Sequence, residues 1–216
     1  RWEKINRSKK IIKISLKNKA DYFIKSIDND YYHFSTLKGN FRIEKRVVRG
    51  ILPINILFSI ALAMEAGASV DDVNKGLKSY NGVEGRFFHF VSSNGSTVID
   101  DSYNANPESM KSSLMQLNQY DKKKIFVMGD MGELGEHSLE HHIDIFKLAK
   151  KCNIKYLFYM GKYKDEASQS FGDGFYHFSD VNKLTENVRN IMDKDTVVLI
   201  KASRYMNFDL IAKGLK

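Results

Sequence analysis

Hydrophobic and polar positions divide the chain into two differently patterned parts. Between residues 10 and 49, short β-branched and aromatic runs alternate with turn residues, which predicts an antiparallel β-meander. The predicted strands are 11–16, 22–27, 31–36 and 41–47. Two helices should follow as a hairpin, one from Pro53 to near Gly67 and one from Val70 to Tyr80 with Ser69 as its N-cap. The expected apolar positions of the first helix are Ile56, Ile60, Leu62, Ala63 and Met64.

The second part begins after residues 81–85, which contain two glycines and no apolar periodicity. Strands and helices then alternate, which predicts an α/β fold: a Rossmann-like, mostly parallel sheet with an antiparallel edge. The predicted strands are 87–92, 96–101, 124–128, 155–160, 175–178 and 196–201, and the predicted helices are 107–120, 137–152, 162–170, 180–192 and 206–215. We therefore expect a domain at 1–81, a hinge at 82–86 and a second domain at 87–216.

Composition narrows the class of protein. With 216 residues, 43% of them hydrophobic, the chain can bury a sizeable core. The net charge of +8 suits an anionic partner, but no nucleic-acid module accompanies it, so we expect no nucleic-acid binding. No apolar run reaches the roughly 18 residues needed to span a bilayer, so no membrane insertion is expected. The single cysteine, Cys152, forms no internal disulfide, and we expect a cytoplasmic monomer.

Candidate chemistry concentrates where the predicted strand 96–101 gives way to the helix at 107. Pro107 suits a first helical turn and Asn106 suits the N-cap before it. Asp101, Tyr103 and Asn104 should therefore project from a strand-to-helix loop, where open α/β sheets place ligand groups. Asp100 alternates with Asp101 along the strand, so we expect it on the opposite face with a structural role.

A second loop of this kind, residues 129–135, follows the predicted strand 124–128. Its carboxylates, Asp130 and Glu133, can act as a general acid and base or can orient the loop, and we favour the orienting role. His137 and His141 share a helix face, but the local order H-S-L-E-H-H differs from the zinc motif H-E-x-x-H. We therefore expect no metal site in this chain.

The two loop sequences, DDSYNANPESM at 100–110 and VMGDMGELG at 127–135, resemble the C-terminal region of the Mur ligases. Within that family, they most resemble the members that add D-alanyl-D-alanine to a UDP-muramoyl tripeptide. The resemblance covers about the last three fifths of the chain, with a weaker match before it. It implies that residues 1–81 end a central ATP-binding domain and that residues 87–216 form the C-terminal domain. Further matching positions are Gly85-Arg86-Phe87, Ser138, His142 and Lys201 to Met206.

The resemblance implies roles for individual residues. ATP would be bound by Arg86 through phosphate, by Asp101 through the ribose hydroxyls, and by Asn104. The dipeptide would be bound by Asn106, Asp130, Ser203 and Arg204, with Tyr103, Glu133 and His142 in support. Plainer alternatives stay open: Arg86 as a solvated linker residue, Asn104 as a turn residue, Asn106 as a helix cap, Tyr103 as a cover for the sheet edge, and Ser203 and Arg204 as local capping and pairing groups.

The implied activity is that of an ATP-dependent amide ligase of peptidoglycan synthesis. ATP and Mg²⁺ would convert the carboxylate of UDP-MurNAc-tripeptide to an acyl phosphate, which the amine of D-Ala-D-Ala attacks. The chain has no G-x-x-x-x-G-K-[ST] phosphate loop, so we expect a fragment that is inactive alone, with the catalytic residues and the Mg²⁺ ligands outside it.

Two positions depart from the family pattern. Residues 52–56 read Leu-Pro-Ile-Asn-Ile where a His-Asn pair and a further asparagine are usual, and Ala202 replaces a usual glycine. The altered 52–56 segment and the absent phosphate loop leave open a non-catalytic binding module derived from a ligase. Another ligase of the superfamily, such as a folylpolyglutamate synthetase or a different Mur ligase, is a second alternative, against which the string Tyr-Asn-Ala-Asn-Pro argues.

Overall fold

A computed structural model of the protein describes residues 10–48 and 51–216. The chain forms two compact units that divide between Asn81 and Gly82. Each unit has its own hydrophobic core, so each is described by itself.

The first unit contains a four-stranded sheet and two helices. Its elements are β1 (Ile14–Ser15), β2 (Tyr22–Ile27), β3 (Tyr31–Thr36), β4 (Gly39–Glu44), α1 (Pro53–Glu65) and α2 (Val70–Lys78). The sheet order is β1-β2-β3-β4, and β2, β3 and β4 form the predicted antiparallel meander. The predicted helical hairpin is confirmed as α1 and α2.

The first strand differs from the sequence prediction. β1 has only two residues and pairs with β2 in parallel, not antiparallel. The segment between the two strands forms a loop that brings Tyr22 next to Lys13. The Asp21 carboxylate accepts a hydrogen bond from the Lys13 amide (2.8 Å), and the Tyr22 amide donates to the Lys13 carbonyl (3.1 Å). The two strands therefore run in the same direction, and the strand predicted at 11–16 is cut short.

The helices of the first unit follow the sequence pattern with one exception. Ile56, Ile60 and Met64 are buried on one face of α1, whereas Leu62 is 71% exposed. Position 62 lies two residues from both Ile60 and Met64, about 200° around the helix from each, so it faces away from the core. At α2, Ser69 and Asp72 form a reciprocal capping box, as expected for a helix that begins after a serine.

The second unit is an α/β domain with a six-stranded sheet. Its strands are β5 (Phe88–Val91), β6 (Thr97–Asp100), β7 (Lys123–Gly129), β8 (Tyr156–Met160), β9 (Phe175–His177) and β10 (Thr196–Lys201), and its helices are α3 (Pro107–Leu117), α4 (Ser138–Lys151), α5 (Lys164–Phe171), α6 (Val181–Ile191) and α7 (Asp209–Gly214). The sheet order is β5-β6-β10-β7-β8-β9. All neighbouring strands are parallel except β5 and β6, which form the predicted antiparallel edge.

Both faces of this sheet are covered by helices. On β7, Phe126 and Met128 join the core that contains α3, α4 and α5, while Ile125 and Val127 join the core that contains α6 and α7. This alternation is the two-residue period of a strand buried on both faces. Cys152 is buried at the end of α4, and burial raises the pKa of its thiol, which fits a structural role.

The strand order brings three loops to one edge of the sheet. β10 lies between β6 and β7, and Ile200 is in register with Asp100 on one side and Val127 on the other. Because the three strands are parallel, their carboxyl ends lie side by side. The loops at 101–106, 130–135 and 202–208 therefore meet at this edge. No helix in the described part of the chain is both long enough and apolar enough to cross a membrane.

Candidate functional site

Asp101 begins the loop between β6 and α3, and most of its hydrogen-bonding capacity is used within the protein. Its Oδ1 accepts from the Phe87 amide (3.1 Å), and its Oδ2 accepts from the Ser113 hydroxyl (2.6 Å). The Oδ2 also pairs with the ammonium of Lys201 at 2.7 Å. A carboxylate offers about four lone-pair sites, so roughly one is left for a ligand. The side chain of Asp101 is 14% exposed, so part of it remains accessible.

Lys201 belongs to the site, although its sequence pattern predicts no separate role for it. It ends β10, a strand whose six residues are all buried, and is itself only 2% exposed. Its ammonium donates to the Asn104 carbonyl (2.9 Å) as well as pairing with Asp101. A lysine that follows four apolar residues, 197–200, was the available sequence signal, since lysine is almost never fully buried unless it is paired.

Tyr103 and two arginines form a cationic cluster at the surface of the second unit. The guanidinium of Arg86 lies 4.0 Å from the centre of the Tyr103 ring, and that of Arg204 lies 5.8 Å from it. Tyr103 is 46% exposed, so these cation–π contacts lie at the protein surface. A pocket of about 160 Å³ adjoins this cluster. It is lined by Glu84, Gly85, Asp100, Ser102, Tyr103, Arg204, Asp209, Ala212, Lys213 and Lys216.

The backbone beside this cluster is fixed by Gly85 and Asp100. The Gly85 amide donates to Asp100 Oδ2 (3.0 Å), and the Gly85 carbonyl accepts from the Tyr103 amide (2.9 Å). Gly85 has a φ of +78°, and a Cβ there would lie 3.3 Å from the Tyr103 backbone, so this position favours glycine. Asp100 also accepts from the amide and hydroxyl of Ser102, and these bonds give it the structural environment predicted for it.

The two asparagines of the loop have different environments. Asn104 is exposed, and its Oδ1 accepts from the Ala105 amide (2.9 Å). Asn106 is the N-cap of α3: its Oδ1 accepts from the Ser109 amide (2.8 Å), and Ser109 Oγ accepts from the Asn106 amide (3.0 Å). The structure therefore contains the cap expected at Asn106, while ligand binding by either asparagine stays a prediction.

Asp130, in the second loop, is buried and held by two neighbours. Its Oδ1 accepts from the Tyr159 hydroxyl, and its Oδ2 accepts from the Lys162 amide (3.2 Å). Burial and the bond to Asp130 raise the pKa of Tyr159 well above its usual range, so the phenol stays a donor. Glu133, by contrast, is exposed, with a φ of +60°. A buried carboxylate with a permanent donor fits the orienting role better than proton transfer.

His142 fixes the same loop from helix α4. Its Nδ1 lies 2.6 Å from the Ser138 carbonyl, and its Nε2 accepts from the Met131 amide at 2.9 Å. Because Nε2 accepts that bond it carries no proton, so its 3.6 Å approach to Asp130 is not an ion pair. Burial lowers the pKa of His142 and outweighs the opposing effects of the Ser138 bond and the Asp130 charge. A neutral His142 therefore supports the loop.

Ser203 and Arg204, which follow β10, differ in accessibility. Ser203 is 4% exposed, and its Oγ accepts from the Gly132 amide at 2.7 Å. That hydroxyl also lies 3.5 Å from the Ala105 carbonyl, and the Ser203 amide donates to the Asp130 carbonyl at 3.0 Å. Ser203 thus ties together the loops at 101–106 and 130–135. Arg204 is exposed, and its contact with the Asp209 carboxylate is long, at 3.9 Å, so its guanidinium remains accessible to solvent.

The described residues show no cluster of metal ligands. Among residues 10–48 and 51–216, no group of three His, Cys, Asp or Glu side chains could hold a metal ion. His137 instead contacts Glu140, with Nδ1 3.1 Å from the carboxylate.

Known proteins are similar to this chain over the segment that contains the loops after β6 and β7 and the end of β10. The family model described as Mur ligase, glutamate ligase domain matches residues 85–204. UDP-N-acetylmuramoyl-tripeptide--D-alanyl-D-alanine ligase of Escherichia coli (strain K12) is 31% identical over 164 residues, which is 75% of this chain and 36% of that protein.

Solved structures share the fold. A crystal structure of MurF from Acinetobacter baumannii aligns with a TM-score of 0.83 at 24% identity, over 99% of this chain and 48% of that one. The MurF ligase of Thermotoga maritima in complex with ADP aligns with a TM-score of 0.73 at 24% identity, over 93% of this chain and 47% of that one. The chain thus spans less than half the length of these proteins. Since the family model matches more than half of the chain, the chain belongs to the Mur ligase family.

Proposed function

We propose that this chain is the C-terminal part of an ATP-dependent ligase that joins D-Ala-D-Ala to UDP-MurNAc-tripeptide in peptidoglycan synthesis. The observation that carries the proposal is the meeting of the loops after β6, β7 and β10 at one sheet edge, within the segment that the family model matches. The name of the similar E. coli protein supports these substrates, and the ADP complex of the T. maritima protein supports a nucleotide. We also propose a cytoplasmic monomer.

The loop after β6 and the neighbouring Arg86 have groups that suit a nucleotide. Arg86 offers an exposed guanidinium, which can make two parallel hydrogen bonds to a phosphate. Asp101 has one remaining acceptor site for a ribose hydroxyl, and Asn104 has an exposed amide. ATP bound with Mg²⁺ would supply the activated phosphate, and we propose that the phosphate loop and the metal ligands lie outside this chain. The role of these three residues is to bind and orient.

The second loop and the end of β10 fit the dipeptide. Arg204 is the exposed cation of this group, and a guanidinium suits the terminal carboxylate of a peptide. Asp130, Ser203 and Asn106 already make bonds within the protein, so we propose that they shape the subsite beside Arg204. Glu133, His142 and Tyr103 would support these loops.

An assay of the full-length protein tests this proposal. With ATP, Mg²⁺ and UDP-MurNAc-tripeptide, we expect the full-length protein to release phosphate in a reaction that depends on D-Ala-D-Ala. The 216-residue chain alone should release none, because phosphoryl transfer needs charge-neutralising groups that we place outside it. Activity with a folate and glutamate, but not with the dipeptide, would instead identify another ligase of the superfamily. No activity with any acceptor would favour the non-catalytic binding module.

Asp101→Asn separates the two substrates in the same assay. The change keeps the size of the side chain but removes its charge, so we expect the KM for ATP to rise about tenfold, the effect of weakening a charge-assisted hydrogen bond. The KM for the dipeptide should change much less. Asp173→Asn, at an exposed position of the same unit, is the matched control. Equal rises in both KM values would place Asp101 outside the nucleotide site.

A further inference from the structure

Lys201 places a positive charge where the fold offers it almost no water. All six residues of β10 are buried, and Lys201 is 2% exposed. A charge in such a place is costly unless good geometry compensates for it. A methionine of similar length would satisfy the packing alone, so the charge points to a role beyond filling space.

The contacts of the Lys201 ammonium span the loop that follows β6. The ammonium pairs with Asp101 Oδ2 at 2.7 Å and donates to the Asn104 carbonyl at 2.9 Å. It therefore joins the first residue of the loop to the fourth. Asp101 is in turn fastened to α3 through the Ser113 hydroxyl at 2.6 Å. One buried cation thus bridges the two ends of the 101–104 segment.

We propose that Lys201 is a positioning residue that holds residues 101–104 in the shape needed to bind a nucleotide, without touching the ligand itself. The proposal rests on the nucleotide role proposed for Asp101 and Asn104. Its physical basis is preorganisation: a loop already fixed before binding loses less conformational freedom when the ligand arrives.

The effect of Lys201 should be local to the nucleotide side of the site. Asn106 is held by its own capping box with Ser109, and Ala105 is linked through its carbonyl to Ser203. Neither tether involves Lys201. Loss of the ammonium should therefore loosen residues 101–104 and leave the groups proposed to face the dipeptide in place.

Kinetics of the full-length ligase test this asymmetry. We expect Lys201→Met to raise the KM for ATP about tenfold, while the KM for D-Ala-D-Ala and kcat change about twofold or less, because binding is affected and chemistry is not. Lys183→Met, at an exposed position on α6, is the matched control and should behave as the unmutated enzyme. An unchanged KM for ATP, or equal rises for both substrates, would overturn the positioning role.

Hydrogen exchange on the 216-residue chain tests the loop without any activity. In Lys201→Met, peptides covering 102–105 should exchange about tenfold faster, and peptides covering β7 should keep their protection. The double variant Lys201→Met/Asp101→Asn leaves no lone buried charge and should give the same local result.

The outcomes separate the two proposals. Unchanged exchange in the loop would overturn the inference, as would loss of protection throughout the second unit in both variants, since Lys201 would then serve the core as a whole. If the unmutated full-length protein has no ligase activity, the proposed function fails, and the exchange experiment still decides whether Lys201 holds the loop.

Discussion

At the residue scale, the site depends on buried polar side chains that each fasten a loop. Lys201 pairs with Asp101 in the loop after β6, Tyr159 donates to Asp130 at the start of the loop after β7, and His142 accepts from Met131 in that second loop. Within residues 10–48 and 51–216, every buried side-chain nitrogen and oxygen has a hydrogen-bond partner. Since an unpaired buried polar group is costly, these bonds specify single loop conformations.

The lowered pKa of His142 predicts a pH dependence of stability. Burial keeps the folded histidine neutral, so between its folded pKa and the ordinary value of 6.5 the unfolded chain binds more protons than the folded chain. The stabilisation is therefore complete above pH 6.5 and is lost as the pH falls below that value toward the lower folded pKa. We expect the free energy of unfolding, measured by urea titration, to fall less between about pH 7.5 and 5.5 in His142→Gln than in the unmutated chain.

His137→Gln is the control for this experiment. His137 lies in the same region of the chain, but its side chain is 73% exposed. Comparison with this variant separates the effect of the buried position from the effect of removing any histidine from this region. A His142→Gln slope that matches the unmutated slope would mean that His142 does not titrate differently on folding.

Gly161 gives a steric prediction at the same scale. A Cβ at this position would overlap Asp130 Oδ1 and the Tyr159 hydroxyl, so Gly161→Ala must displace the buried bond between them. We expect a loss of about 1–3 kcal/mol in the free energy of unfolding, typical of overpacking a core. Gly76→Ala in α2, where a Cβ meets nothing within 4 Å, should instead be neutral or stabilising by up to about 1 kcal/mol. Equal changes in the free energy of unfolding for Gly161→Ala and Gly76→Ala would contradict this account.

At the element scale, the start of α3 links local sequence to the site. Pro107 occupies the first turn, and Asn106 and Ser109 cap each other, so the helix begins at a fixed residue and the loop before it has a defined end. This boundary was predictable because capping depends on residues three positions apart. Burial on α1 was less predictable: Leu62 was expected in the apolar face and is exposed, since hydrophobicity alone does not tell which side of a helix meets a core.

Asn106→Ala tests the cap of α3. Loss of the side-chain acceptor leaves the Ser109 amide without its partner, and we expect a cost of about 1 kcal/mol, measured as a lower midpoint of urea unfolding. Asn182→Ala, at an exposed position on α6, is the matched control and should cost nothing. Asn106→Asp should keep most of the stability, because aspartate caps helices as well as asparagine does. A cost equal to that of Asn182→Ala would show that the cap contributes little.

At the scale of the whole molecule, the division between Asn81 and Gly82 separates the core of the first unit from the two cores of the second. The hinge expected at 82–86 stays a prediction, but its two ends differ. The amides of Gly85 and Phe87 are bonded to Asp100 and Asp101, whereas Val83 is 49% exposed. We therefore expect the accessible part of this segment to lie before Gly85.

Limited proteolysis tests the boundary. Chymotrypsin after Tyr80, or a glutamate-specific protease after Glu84, should cut first, because cleavage needs an exposed and adaptable backbone. The C-terminal piece should remain folded, as judged by its resistance to further digestion and its circular dichroism. Cleavage only near the chain ends, or rapid degradation of the C-terminal piece, would mean that the two halves form one rigid unit.

The sequence by itself determined most of the elements of this protein, with β1 as the exception. The alternation of strands and helices, the caps at Ser69 and Asn106 and the polar loops after β6 and β7 all follow from local periodicity and from residues a few positions apart. The loop motifs also identified the family, which the family model confirms over residues 85–204.

Only the tertiary structure decided which of these elements meet. The pairing of β10 joins residues about 70 to 100 positions apart in the chain, and nothing local specifies that β10 lies between β6 and β7. Those pairings place Lys201 against Asp101 and bury the Asp130 side chain beside Tyr159. A lysine at a strand end and an aspartate in a loop are ordinary in sequence, and their roles arise only when packing removes water from around them.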